Sequence, residues 1–204
     1  MSRLLALSRA IDRLSERVGS AVAWLVLAAV LISAGNAVMR KAFSLTSNAF
    51  LEIQWYLFAA VFLLAAGYTL LRQEHVRIDV LLSRLQRRTQ VKVEIFGLLA
   101  FLMPFVVVVV YLVWPLVSGA WDSGERSPNA GGLIRWPVYA LVPAGFVLLG
   151  LQGVSEVIKR LAFLRGRADD PGRRQQDKSA EQELADAIRE HSGQGGQPTG
   201  EVRP

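Results

Sequence analysis

Four apolar runs, residues 18–39, 53–71, 95–121 and 136–155, contain no Asp, Glu, Lys or Arg. Each has about the 20 residues that an α-helix needs to cross the hydrocarbon core of a bilayer. A charge at mid-bilayer costs on the order of 3 kcal/mol on insertion scales, so spanning segments exclude charge. A soluble core helix of this length would keep a polar face, and none of these runs does. The expected fold is therefore all-α and integral to a membrane, with transmembrane helices at about 18–39, 50–72, 94–121 and 136–160. The 1–17 segment is expected as a separate amphipathic interfacial helix. The 166–204 tail is polar and expected to be largely disordered.

Lys and Arg fill every second gap. Four precede the first run, six lie between the second and third, and seven lie between 159 and 178, against two in each remaining gap. The positive-inside rule then places both termini and the 72–92 loop in the cytoplasm and the other two loops outside. The net charge of +6 is explained by headgroup contact and calls for no nucleic-acid partner. Membrane lipids are the first expected partner. Short loops and an Arg-rich inner side suit a bacterial inner membrane. The first run is longer than a signal-peptide core and no Ala-x-Ala site follows it, so it is expected to be retained.

Within 1–17, Leu4, Leu7, Ile11 and Leu14, followed by Val18, repeat at helical spacing. Arg3, Arg9, Asp12, Arg13, Glu16 and Arg17 fill the other positions. An amphipathic helix of this kind lies in the inner headgroup plane. The alternative is a polar first section of the first spanning helix. Trp55, Tyr56, Tyr111, Trp114, Trp121, Trp136 and Tyr139 fall near the outer helix ends, where amphipathic rings favour the interface. Pro137 suits a first helical turn, and Pro104 and Pro143 predict kinks. In the tail, Ser179-x-x-Gln182 marks a short helix.

Catalytic chemistry has no visible seat. The chain has no Cys, which excludes thiolate metal sites and disulfides, and only two His, neither in an apolar run. No cofactor is expected. Glu52 and Glu94 come next to the apolar runs, each near a helix start, where the helix dipole favours a carboxylate. A proton or ion path would place acids deeper.

Three segments stand out. Glu52-Ile53-Gln54-Trp55 opens the second run. His75-Val76-Arg77-Ile78-Asp79 follows it. Ser123-Gly124-Glu125-Arg126-Ser127-Pro128-Asn129-Ala130-Gly131-Gly132-Leu133 precedes Trp136-Pro137. By residue chemistry alone these are an interfacial cap or subunit contact, a basic loop, and a turn cluster with room to dock a partner. Together with Gly67-Tyr68 and Leu151-Gln152, and in this order, they resemble the small membrane subunit (DctQ-like) of tripartite ATP-independent periplasmic, or TRAP, transporters. The resemblance covers about residues 15–160. It implies a non-enzymatic scaffold for a large permease that carries substrate and sodium. A periplasmic binding protein would supply an organic acid. The candidate partner-interface residues are Glu52, Trp55, His75, Arg77, Asp79, Ser127, Gly131, Gly132 and Trp136. Arg77 and Asp79 are expected to hold a turn and dock the permease. Glu52 is expected to make its main contact outside this chain, with Arg40 and Lys41 as the alternative within it. Competing readings are a membrane anchor or assembly factor of an unrelated complex, and a small oligomeric channel.

Overall fold

The computed structural model describes residues 2–43, 48–72, 85–129 and 131–168, with 170 and 188. Four long helices account for most of them. α1 is Ser2–Phe43 and α2 is Asn48–Arg72. α3 is Arg87–Ser123 and α4 is Trp136–Leu164. All four are long and apolar enough to span a membrane.

Every helix outruns its uncharged stretch because the backbone stays hydrogen-bonded past the point where side chains turn polar. α1 is the extreme case. Its 42 residues correspond to roughly 63 Å at about 1.5 Å per residue, about twice the hydrocarbon thickness. No break separates the amphipathic segment from the apolar run. The two are one helix, with Ser8, Ile11, Ser15, Val22 and Ala29 buried along a near-heptad seam. Leu4, Leu7 and Leu14 face away from the other helices.

α3 contains a π-helical turn, Leu98–Leu102, just ahead of Pro104. In a regular helix the Pro104 ring would crowd the Ala100 carbonyl and leave it without a donor. A widened turn at that point lets the helix continue through the proline. Pro115 and Pro143 also lie within their helices.

α3 and α4 both end in Schellman caps. Gly124 has φ 61°, its N–H donates to Trp121 O (3.3 Å), and the Glu125 N–H donates to Ala120 O (3.2 Å). At the end of α4, Gly166 has φ 65°, its N–H donates to Phe163 O (2.9 Å), and the Arg167 N–H donates to Ala162 O (3.0 Å).

α4 is the central element, packing against α1, α2 and α3, and α1 also packs on α2. Glycines set the closest approaches. A Cβ at Gly145 would stand 2.6 Å from Leu63 O on α2, and one at Gly153 would stand 2.7 Å from Met103 Cε on α3. Such small-residue contacts drive helix association in lipid, where apolar burial gains nothing over the acyl chains. Ala29, Ala60, Gly67, Gly145, Gly150 and Gly153 are buried at the packing seams. Gly35 has open space around it. α3 leans on α4 along a narrow seam with Val91, Val106 and Ala120 buried. Phe96, Phe101, Val107, Tyr111, Leu112 and Trp114 of α3, and the α2 face bearing Trp55, Phe58 and Phe62, are exposed apolar surface.

Candidate functional site

Two polar clusters occupy opposite ends of this bundle. The first gathers where α2 starts, α3 ends and α4 starts. After the Gly124 cap, the chain turns back on itself through an isolated antiparallel bridge between Arg126 and Ile134. Ser127 N–H donates to Leu133 O (2.9 Å), and Gly132 N–H donates to Asn129 O (2.8 Å). Gly131 has φ 74°, a left-handed conformation that disfavours other residues. A Cβ at Gly132 would collide with Ser127 O at 2.2 Å. The two glycines are therefore what let the loop close.

The closed loop presents three donors to one carboxylate. Asn129 Nδ2 donates to Glu52 Oε1 (2.7 Å), the Ser127 hydroxyl donates to the same oxygen, and the Leu133 N–H donates to Oε2 (2.9 Å). Glu52 is only 8% exposed. The expectation that its main contact lies outside this chain is overturned, because both oxygens are held by the α3–α4 loop. Arg40 and Lys41 are not its partners either. The sequence offered each half of this latch but not the pairing, since 75 residues separate Glu52 from Ser127.

Neighbouring contacts extend the latch. Tyr56 OH, one turn along α2, donates to Ile134 O (3.2 Å). Arg135 Nη1 donates to Glu125 Oε1 (3.0 Å) and to Tyr139 OH (3.3 Å). The Glu125 hydrogen bond, reinforced by Tyr139, raises the Arg135 pKa above its ordinary value. Trp136 meets Trp121 edge to face, with ring centroids 4.6 Å apart. Trp55 makes none of these contacts and is 74% exposed. His75, Arg77 and Asp79 lie outside the described residues, as do Ser179, Gln182 and His191.

The second cluster joins the start of α1, the start of α3 and the end of α4. Gln152, fully buried, accepts from Ser15 Oγ (2.7 Å) and donates to Asp12 Oδ1 (3.0 Å). Ser155 Oγ donates to Asp12 Oδ1 (2.7 Å) and lies 2.7 Å from the Ser8 hydroxyl. Lys159 Nζ reaches Asp12 (3.3 Å) and also pairs with Glu156. Arg160 bridges Glu156 and Glu94, the latter at 2.7 Å. Arg87 continues the chain to Glu94 (3.6 Å) and to Asp170 (2.7 Å).

Seven ionised groups therefore alternate in sign across three helices and the segment that follows α4. Sequence reading singled out only Glu94 among them. The available signal was the Glu156, Lys159, Arg160 spacing of i, i+3 and i+4, with Gln152 one turn earlier on the same face. Among the described residues no group of three or more His, Asp or Glu converges as a metal site requires.

In both clusters the carboxylates Glu52, Asp12, Glu94 and Glu156 are engaged by neighbouring groups of this chain. What they do chemically is fix helix ends against one another. No curated protein matches the chain. The sequence model described as "Tripartite ATP-independent periplasmic transporters, DctQ component" matches residues 29–163, from the middle of α1 almost to the end of α4. Two thirds of the chain lies within that match, which also takes in the Glu52 latch and α3, and the chain belongs to this family of transporter components.

Proposed function

We propose that the chain is the small permease subunit that scaffolds the large permease of a TRAP-type secondary transporter. The complex takes up an organic acid, delivered by a periplasmic binding protein, with sodium coupling. Both termini and the Arg87–Asp12–Arg160 end face the cytoplasm, and the Glu52 latch faces the periplasm. The reading rests on family membership for the transporter and on one structural observation for the scaffold. Glu52, Glu94, Glu156 and Asp12, the acids that the bundle encloses at its two ends, are each engaged by this chain's own groups.

The lateral surface is apolar. Trp55, Phe58 and Phe62 on α2 are spaced to form one outward stripe, and Phe62 is 81% exposed. Such a face meets lipid or another hydrophobic protein without a desolvation penalty. We assign Trp55 and this stripe to the permease contact. The loop surface around Ser127, Gly131, Gly132 and Trp136, together with His75, Arg77 and Asp79, stays among the proposed partner contacts.

Purification from native membranes in mild detergent tests the reading. A polytopic permease in fixed proportion to this chain is the expected companion. Recovery with an unrelated complex would support the anchor reading instead, and recovery alone would argue against a scaffold.

A further inference from the structure

The end of the bundle that carries the ion network has its charges sorted by depth. Asp12, Glu94, Glu156 and Asp170 are taken up by Arg87, Lys159 and Arg160. Arg9, Arg13 and Arg17 are left on the surface of α1. Their i, i+4, i+8 spacing places them on one slowly winding face. Leu14, 42% exposed, lies beside Arg17 at i, i+3 spacing. Glu16 is the acid that borders this face, so the stripe keeps a net positive charge.

The packing fixes the level of this stripe. Gly19 lies against the Tyr68 ring, one turn before Arg72, where the apolar run of α2 ends. Ser15 meets Gln152, while Ser8 and Asp12, one turn apart on α1, both reach Ser155. Seven residues of α1 thus advance the contact by only three on α4. The first turns of α1 cross α4 obliquely instead of running down beside it. Arg9 to Arg17 are therefore held close to the level where the apolar runs of α2 and α4 give way to charge, which is headgroup depth.

We propose that this face of α1 is a seat for an anionic phospholipid of the bilayer leaflet it borders. The arginines take the phosphate, whose charge no headgroup cation offsets, and Leu14 lies along the upper acyl chain. The inward-facing network contributes by removing carboxylates that would otherwise repel the lipid. The proposal concerns the chain whatever its complex, and does not depend on the transporter reading.

The test is thermal unfolding of the full chain in mild detergent supplemented with phosphatidylglycerol, phosphatidylcholine or inorganic phosphate. Phosphatidylglycerol is expected to raise the midpoint well above phosphatidylcholine, with phosphate alone giving no rise. The difference is expected to shrink at about 1 M salt, where the screening length falls to about 3 Å. Arg9→Gln/Arg13→Gln/Arg17→Gln is expected to abolish the difference, whereas Arg88→Gln/Lys92→Gln on α3 retains it. If the triple variant does not insert, Arg13→Gln alone is expected to weaken phosphatidylglycerol retention roughly five-fold. Equal stabilisation by both lipids, or by phosphate alone, would overturn the proposal. So would a triple variant that keeps its lipid preference and loses only a protein partner, which would give the stripe to that partner.

Discussion

Leu133 donates its backbone N–H to the Glu52 carboxylate across 2.9 Å, and this bond ties the α3–α4 loop to the first turns of α2. Because the Ser127 hydroxyl and the Asn129 amide converge on the same carboxylate, the loop is a clamped structure. Its shape depends on one side chain located 75 residues or more away from its partners.

Glu52→Gln replaces one acceptor oxygen with a donor and sets it against a donor already in place. The loop is expected to open without loss of the four helices. Trypsin cleavage after Arg126 and Arg135, followed over time in detergent, should accelerate several-fold over the wild type. Helical circular dichroism should stay unchanged. Equal cleavage rates would mean that the loop holds itself closed without Glu52.

Glycine substitutions separate close approach from mere smallness. Gly145→Ala places a methyl 2.6 Å from Leu63 O and forces α2 off α4, whereas Gly35→Ala meets nothing within 4 Å. The first is expected to lower the unfolding midpoint by many degrees and the second to leave it unchanged or slightly raised. Gly132→Ala, with its 2.2 Å clash against Ser127 O, should reproduce the Glu52→Gln cleavage pattern.

The ion network is expected to behave as a unit. Arg160 is 4% exposed and bridges Glu94 and Glu156. Arg160→Met leaves Glu156 with Lys159 alone and Glu94 with Arg87 alone, and should cost up to about 3–5 kcal/mol, the range for breaking a buried pair from one side. Adding Glu94→Leu and Glu156→Gln removes the surplus negative charge and should restore much of that loss. Unfolding of the single and combined variants measures the coupling directly, and strictly additive losses would contradict a network.

Orientation is testable by cysteine accessibility, since the chain has no native Cys. A cysteine at Pro128 should label from outside in intact cells, and one at Gln86 should label only after permeabilisation. The reverse pattern would invert the topology.

The four spans were legible because the cost of charge in hydrocarbon writes itself into composition. The helix limits were less so. α1 reaches back to Ser2 and α3 to Arg87, since a helix continues through charged turns once its hydrogen bonds run. Glu52 was visible as an acid at a helix start, but its partner was not, because loop closure across 75 residues leaves no periodic trace. Asp12 and Lys159 each passed as an ordinary charged flank. Only the packing of α1 across α4 reveals them as a pair. Trp55 and Trp136, both marked as interfacial aromatics, part company in three dimensions. Trp136 stacks edge-on with Trp121, whereas Trp55 stays open.

The most direct test of a holding role, as against a carrying one, is the coupling ratio of the assembled complex. Proteoliposomes would contain the permease with either wild-type chain or the Glu52→Gln and Arg160→Met/Glu94→Leu/Glu156→Gln variants, matched for assembled complex. Sodium and substrate fluxes are measured together. An unchanged sodium-to-substrate ratio and unchanged substrate preference are expected, with any loss confined to the amount assembled. A shifted ratio or preference at equal assembly would place this chain's charged residues in the transport path and contradict the scaffold.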